Sequence, residues 1–181
     1  MPKPKLDIKE ILIPAVSLFA ICLVIAGALA AVNAVTAGPI AANMAAGADA
    51  ARQEIFPGAR FEDRGAYFTA YAQSGGLLGY CVDTQAQGYG GAIQVAVGLD
   101  PDGGVLQVRV VAADSETPGL GQKVKEASFL DQFKGKTDAF ALGGGIDGIA
   151  SATYSSQGVV NAVNLALEIY NGQIGGAAIE R

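Results

Sequence analysis

Three short motifs in the second half of the chain concentrate glycines, hydroxyl groups and one acidic side chain. They are GYGG at residues 88–91, ETPGLG at residues 116–121 and DGIASATYSS at residues 147–156. The third motif runs directly into a predicted helix, where unpaired N–H groups and the positive end of the helix dipole favour a phosphate. An ordinary serine N-cap is the alternative interpretation of the same residues.

The other two motifs combine turns with groups that could line a binding site. The Pro-Gly pair of ETPGLG suits a type II turn, in which the glycine supplies the positive φ. Such a turn would hold Leu120 as a wall, with Glu116 and Thr117 offering polar groups beside it. In GYGG, Tyr89 stands between glycines, whose backbone carries no side chains, just before a predicted strand. A plain turn remains the alternative interpretation of each motif.

The composition excludes several kinds of chemistry. The 181 residues contain no His and only two Cys, which excludes Ser-His-Asp and Cys-His nucleophiles and His-ligated metals or haem. Two Cys are too few for an iron–sulfur cluster or a Cys-rich zinc site. A net charge of -5 without a basic face argues against a nucleic-acid partner. Redox chemistry in this chain would therefore need an organic cofactor.

One glycine-rich segment, GGGIDG at residues 143–148, matches a dinucleotide-binding pattern but lies in the wrong context. The predicted helix begins about seven residues too late, and Glu168 falls inside that helix instead of ending a second strand. Because the chain contains 25 Gly, a chance match is the better interpretation.

The elements that must position the motifs are strands followed by helices. We predict strands at residues 60–72, 77–84, 92–99, 105–112 and 139–142. The turn DPDGG at residues 100–104 predicts a hairpin between the third and fourth of these. Helices are predicted at residues 122–133 and 155–170. This order predicts an α+β fold with a largely antiparallel sheet and flanking helices.

The first part of the chain predicts a membrane anchor. Residues 11–48 contain no Asp, Glu, Lys or Arg, and about 20 apolar helical residues cross a bilayer. A cleavable signal peptide is the alternative, but its apolar core of about 7–15 residues is shorter than the run at residues 11–32. Lys3, Lys5 and Lys9 precede the span, which predicts a cytoplasmic N-terminus and an extracytoplasmic domain.

These observations divide the chain into four segments. We assign residues 1–10 to a cytoplasmic N-terminus, residues 11–35 to a transmembrane helix, residues 36–57 to a helical stalk and residues 58–181 to a single domain. The stalk is rich in Ala, and Pro39 is expected to restart its helix. The last segment has the size of one domain with its own core.

The three motifs and the N-terminal span together resemble the FMN-binding domain of membrane redox pumps. Over essentially its full length, the chain is similar to the G subunits of the Rnf complex, the ion-translocating ferredoxin:NAD⁺ oxidoreductase. The homologous C subunit of the sodium-pumping NADH:quinone reductase is a near relative of these subunits. The resemblance implies a single FMN-binding domain behind one transmembrane helix.

The resemblance also implies how FMN would be held. In that family the FMN phosphate is attached to a Thr hydroxyl, in a pattern close to Asp-x-x-Ser/Thr-Gly-Ala-Thr. Thr153 stands at the acceptor position, and Asp147 and Ala152 match the pattern. Ala150 and Ser151 depart from it, since they replace a hydroxyl residue and a Gly.

The remaining predicted contacts come from the same motifs. Glu116, Thr117, Leu120 and Gly121 are expected beside the isoalloxazine ring, while Asp114 stands where the family usually has a His. Ser155 and Ser156 are rival hydroxyls near the acceptor and are expected to cap the helix. The full set of expected cofactor-binding residues is Thr153, Glu116, Thr117, Leu120, Gly121, Ser151, Ala152, Ser155, Ser156 and Tyr89. We expect no catalytic side chain and no metal ligand among them.

The function implied by the resemblance is electron transfer through FMN covalently attached to Thr153, in a membrane-bound complex that moves ions. The expected partners are the other Rnf subunits, the membrane, and a flavin transferase, because no residue of this chain could activate the flavin. The alternatives are the equivalent subunit of a sodium-pumping NADH:quinone reductase, a membrane-tethered flavin reductase acting on a small external acceptor, and a cofactor-free anchor subunit. A reductase would need a cluster of anion-binding Arg side chains. The sequence does not obviously supply one, since its candidates are scattered at Arg52, Arg60, Arg64 and Arg109.

Overall fold

The computed structural model describes residues 8–175 and divides into two compact units, Met1–Asn43 and Met44–Arg181. Helix α1 (Ile8–Ile55) is continuous and contains both Pro14 and Pro39. It does not restart at Pro39, because the Ala-rich sequence on both sides strongly favours the helix. The stretch Ile11–Ile55 is long and apolar enough to cross a membrane, with a mean hydropathy of 2.7 in its most apolar window. The predicted long apolar helix is therefore present.

The second unit contains one antiparallel sheet whose five strands are neighbours in chain order. The strands are β1 (Arg60–Asp63), β2 (Phe68–Tyr71), β3 (Leu77–Gln87), β4 (Ala92–Leu99) and β5 (Val105–Ala112). Strands β4 and β5 pair as the predicted hairpin. The α+β fold with an antiparallel sheet is confirmed.

The first predicted strand, residues 60–72, is wrong as a single element. It consists of β1 and β2, which pair with each other across a turn. Gly65 in this turn has a φ of 85°, and its N–H donates to Asp63 Oδ1 at 2.7 Å. A short polar side chain and a glycine at these positions favour a tight turn over a continued strand.

Helices cover both faces of the sheet. On one face Val82, Val95 and Val97 belong to the same buried cluster as the apolar side of helix α3 (Thr153–Ile169). On the other face Cys81 and Ala96 pack with the last turns of α1. Because neighbouring residues of a strand point to opposite faces, β3 and β4 supply both cores.

The end of α1 approaches the sheet closely. A Cβ on Gly98 would lie 2.2 Å from Ile55 Cγ2, so the glycine makes room for the helix. The buried Arg52 guanidinium pairs with Asp49 and Asp83 and lies 3.9 Å from the Phe68 ring centroid. The compact unit accordingly begins at Met44, whereas the sequence suggested a boundary before residue 58.

The segment between β5 and α3 is less regular than predicted. Residues 122–133 form two 3₁₀ turns, Gly121–Lys125 and Asp131–Phe133, around the short helix α2 (Ala127–Leu130). Glu126 is extended, with a ψ of 139°, and this interrupts a continuous helix. The predicted strand at residues 139–142 is wrong, since only an isolated bridge joins Leu142 to Ile146 there.

Candidate functional site

The three sequence motifs meet around a cavity of about 300 Å³. The turn 88–91 joins β3 to β4, the loop 116–121 follows β5, and the segment 147–156 leads into α3. The residues that line the cavity are Tyr89, Thr117, Leu120, Gly121, Ser151, Ala152, Thr153, Tyr154 and Ser155. Segments far apart in the sequence thus form one site.

The N-terminus of α3 opens onto this cavity. The helix begins at Thr153, two residues earlier than predicted, and its N-cap residue Ala152 makes no side-chain capping bond. The first N–H groups of a helix have no partner within the helix. An uncapped start beside an exposed Thr hydroxyl therefore leaves donors for an anionic group.

The prediction that Ser155 and Ser156 cap this helix is wrong. Both lie inside its first turn and are buried. The Ser155 hydroxyl donates to Glu116 Oε2. Ser156 Oγ accepts from Ile149 N–H and donates to the Ala152 carbonyl, each at 3.0 Å. Both hydroxyls therefore have partners within the domain.

Glu116 joins the three motifs through hydrogen bonds. Its side chain is 2% exposed. Oε1 accepts from Gly90 N–H at 3.0 Å, and Oε2 accepts from the Ser155 hydroxyl. Both carboxyl oxygens are therefore occupied as acceptors. One carboxyl group therefore fixes the turn 88–91 and the start of α3 to the loop that carries it.

Two glycines allow this close approach. A Cβ on Gly121 would lie 2.7 Å from Glu116 Oε2 and 2.8 Å from Ser155 Oγ. A Cβ on Gly90 would lie 1.8 Å from the Ser115 carbonyl oxygen. Neither distance is compatible with a side chain, so the packing of the three motifs requires glycine at both positions.

Among the described residues other than glycine, only Ser151 has a positive φ, of 62°. This left-handed conformation is uncommon for residues with a Cβ. The motif of the resembling family has Gly at this position. The strained residue lies two positions before Thr153 and lines the cavity.

The structure brings together eight of the ten predicted cofactor-binding residues as cavity lining. Glu116 and Ser156 do not line the cavity. Sequence reasoning missed Tyr154, which lines the cavity beside Thr153. The sequence could have indicated Tyr154 as a site residue, because it is the one aromatic residue in a motif of small and hydroxyl residues.

Segment 143–148, whose context does not suit a dinucleotide-binding loop, does not line the cavity. Its first glycine donates from N–H to the Ile146 carbonyl at 2.9 Å. Asp147 is held through its backbone, because its N–H donates to Gln132 Oε1 at 2.7 Å and its carbonyl accepts from Gln132 Nε2 at 3.2 Å. Within residues 8–175 no group of three or more His, Cys, Asp or Glu side chains could hold a metal ion.

The titratable groups with shifted pKa values lie away from the cavity. Burial raises the pKa of the Asp83 carboxyl, and the Arg52 guanidinium partly opposes this. Burial also raises the pKa of the Cys81 thiol well above its usual range. Both residues contact the α1 side of the sheet, opposite the face that carries α3.

Fold and motifs define the class of protein. The FMN-binding domain family matches residues 88–168, a range that contains all three motifs. The chain is 34% identical to the G subunit of the ion-translocating oxidoreductase complex of Methanosarcina acetivorans, over 60% of this chain and 60% of that one. It therefore spans less than two thirds of that relative's length.

A second relative matches almost end to end. The chain is 30% identical to the G subunit of the Na⁺-translocating ferredoxin:NAD⁺ oxidoreductase complex of Acetobacterium woodii, over 93% of this chain and 95% of that one. The crystal structure of Shewanella oneidensis NqrC matches with a TM-score of 0.49 and 26% identity, over 56% of this chain and 54% of that one. The chain belongs to the family of G subunits of ion-translocating oxidoreductase complexes, as the motifs predicted.

Proposed function

We propose that this chain is the FMN-carrying electron-transfer subunit of a membrane-bound ion-translocating ferredoxin:NAD⁺ oxidoreductase. Family membership supports this, because a relative that matches most of the chain carries that description. The uncapped N-terminus of α3, with Thr153 as its first residue on the cavity wall, is the observation that carries the proposal. FMN, when bound, supplies the one- or two-electron chemistry.

The cavity suits a flavin phosphate at one end. The first three N–H groups of α3 belong to residues 153–155, and the helix dipole adds a partial positive charge there. A phosphodiester on Thr153 Oγ1 keeps one negative charge, which these groups favour by about 0.3–1 kcal/mol at an exposed helix end. Thr153 is exposed and lines the cavity, so its hydroxyl is accessible for modification.

The rest of the cavity suits the ring. Leu120 supplies an apolar wall, Thr117 supplies a polar group, and Gly121 adds no side chain to the cavity. At about 300 Å³ the cavity is at the small end of ligand sites. Part of the cofactor would therefore remain exposed, as transfer of electrons to another subunit requires.

Attachment implies a flavin transferase as a maturation partner. In the transfer, the Thr153 hydroxyl loses its proton as its oxygen bonds to the FMN phosphorus of a dinucleotide precursor. The pyrophosphate bond breaks, and the other nucleotide leaves as its monophosphate. The chain has no His to act as the general base. The transferase would therefore supply the base. The other subunits of the complex are the proposed electron-transfer partners.

We also propose that α1 anchors the domain in the plasma membrane. Its large apolar side chains, such as Phe19 and Val24, are 68% and 69% exposed. The Lys residues before the span place the N-terminus in the cytoplasm by the positive-inside rule and the FMN domain outside. Protease added to intact cells, after permeabilising any outer membrane, should digest the domain. Digestion only in inverted vesicles would contradict this orientation.

The attachment is tested by intact mass of the purified full-length chain under denaturing conditions. The wild-type chain should carry the mass of one FMN, Thr153→Ala should carry none, and Thr153→Ser should keep part of it. Ser151→Ala is the matched control, since it removes an exposed cavity hydroxyl two residues away and should keep the flavin. Flavin mass on Thr153→Ala would show that another hydroxyl is the acceptor.

A further inference from the structure

The segment that leads to Thr153 is irregular. Residues 134–152, all within the described part of the chain, form neither a helix nor a strand. Its last part, residues 147–152, is here called the acceptor segment, because an enzyme that modifies Thr153 must approach it beside these residues. An irregular segment keeps one conformation only where other groups satisfy its backbone N–H and C=O groups. The side chains that bind this backbone therefore decide how the acceptor is presented.

The side-chain amide of Gln132 holds the first residue of the acceptor segment by two hydrogen bonds. Its Oε1 accepts from Asp147 N–H at 2.7 Å, and its Nε2 donates to the Asp147 carbonyl at 3.2 Å. Two residues of neighbouring antiparallel strands exchange the same pair of bonds. The amide thus replaces a strand neighbour, and it fixes both the position and the orientation of the backbone at residue 147.

Both sides of this contact are anchored in the core. Gln132 lies in the 3₁₀ turn Asp131–Phe133, and the side chain of Phe133 is fully buried. Ile146, which directly precedes Asp147, is fully buried as well. Because core packing already holds the two backbones, few additional degrees of freedom are lost when the amide binds. The contact is therefore a persistent clamp on the acceptor segment.

Ser156, in the first turn of α3, holds the other end of the segment. Its Oγ accepts from Ile149 N–H and donates to the Ala152 carbonyl, each at 3.0 Å. Ala152 N–H in turn donates to the Ile149 carbonyl at 3.0 Å. Ala150 and Ser151 lie between these contacts and are exposed. The exposed surface next to the acceptor is thus held from both ends, by Gln132 on one side and by α3 on the other.

We propose that Gln132 is a positioning residue for flavin attachment, because its clamp on Asp147 presents the acceptor segment to the flavin transferase in one conformation. The inference rests on the proposed attachment at Thr153. Gln132 does not line the cavity, so it acts through the backbone of the acceptor segment and takes no part in the transfer itself. A transferase that binds one conformation of a segment binds more weakly when only a fraction of the molecules adopt it.

The test measures initial rates of flavin attachment to the purified full-length chain, prepared without flavin, by a purified flavin transferase with FAD as the donor. Gln132→Met keeps the length of the side chain but removes the amide. It should raise the KM for the acceptor chain by about three- to tenfold and leave kcat close to wild type, since fewer molecules present the segment correctly. Gln132→Glu can still accept from Asp147 N–H but cannot donate to the carbonyl at pH 7, so its KM should be intermediate.

Gln157→Met is the matched control. It makes the same substitution on α3, closer to Thr153 in sequence, where Gln157 Nε2 donates to Asn161 Oδ1 at 2.8 Å. Its KM should equal that of wild type. Hydrogen exchange of the same proteins gives a second readout, because a peptide that contains residue 147 should exchange faster in Gln132→Met and not in Gln157→Met. All rates are measured at a temperature at which circular dichroism shows each variant to be folded.

Three outcomes would overturn the positioning role. A wild-type KM for folded Gln132→Met would show that the clamp serves only the stability of the loop. An equal rise of KM in Gln157→Met would trace the effect to the general surface of the domain. A lower kcat at unchanged KM would place the effect in the chemical step. Failure of the proposed attachment is distinguishable from all three, because the wild-type chain itself would then gain no flavin at Thr153.

Discussion

Removal of the Glu116 carboxyl group should destabilise the domain far more than removal of an ordinary acidic side chain. Glu116→Ala deletes two hydrogen bonds to a side chain that is 2% exposed. It leaves the buried Ser155 hydroxyl without its acceptor, which costs about 1–3 kcal/mol. It also removes the bond to the N–H of Gly90, which is exposed, and a bond of this kind contributes about 0.5–1.5 kcal/mol. Loss of the carboxylate also removes its own desolvation cost. The net effect should be a loss of about 2–4 kcal/mol in the free energy of unfolding.

This loss is measurable because small domains are stable by only about 5–15 kcal/mol. For a unit of this size, each kcal/mol lowers the melting temperature by about 3–5 °C, so Glu116→Ala should melt about 6–20 °C below wild type. The assay is thermal unfolding of residues 44–181, followed by circular dichroism at pH 7. The melting temperature of Glu116→Gln should lie between those of wild type and Glu116→Ala, because its amide oxygen can still accept from Gly90 N–H.

Glu126 offers a matched control in the same segment. It is exposed and makes no side-chain capping bond to α2, so Glu126→Ala should stay within about 0.5 kcal/mol of wild type. A Glu116→Ala domain that melts within the error of Glu126→Ala would refute the reasoning. The carboxyl group would then not hold the three motifs together.

Three further predictions concern other residues. Gly121→Ala should destabilise the domain by about 1–3 kcal/mol in thermal unfolding, since the methyl would lie 2.7 Å from Glu116 Oε2. Gly76→Ala is the control, because a Cβ there would have nothing within 4 Å. Equal losses of stability in the two variants would count against the clash. Ser151→Gly should raise stability by about 0.5–1 kcal/mol, because relief of the left-handed conformation outweighs the entropy of glycine; a lower melting temperature would contradict this. In a Cys22→Ala chain, Cys81 should react with iodoacetamide at pH 8 only after unfolding, since it is buried and its pKa is raised; rapid labelling of the folded protein would disprove it.

Local sequence rules predicted the elements that depend on nearby residues. The hairpin β4–β5 follows from two β-rich runs around a Pro-Asp-Gly turn, and its strand bounds match the prediction. The long apolar helix follows from composition alone. The break between β1 and β2 was missed because aromatic residues on both sides favour a single strand, although Gly65 provided the turn signal.

Local residue types also predicted which three segments line the site, but not how the side chains of α3 are used. Glycines, hydroxyls and a Pro-Gly turn identified three segments by their chemistry, and all three line one cavity. The prediction of serine caps failed because α3 begins at Thr153, which moves Ser155 and Ser156 inside the first turn. A helix start is set by what packs against it as much as by local propensity.

The sequence by itself determined that the chain has an apolar helix and an α+β domain, and that the motif residues could hold a phosphate and a ring. These properties depend on composition and short-range order. Only the tertiary structure decided that Glu116 is buried, because an acidic side chain in a turn is ordinarily exposed. Its burial requires partners from the turn 88–91 and from α3, which are distant in sequence. The pairing of Tyr89 with Tyr154 likewise arises only when β4 and α3 pack on each other, since no local pattern relates residues so far apart.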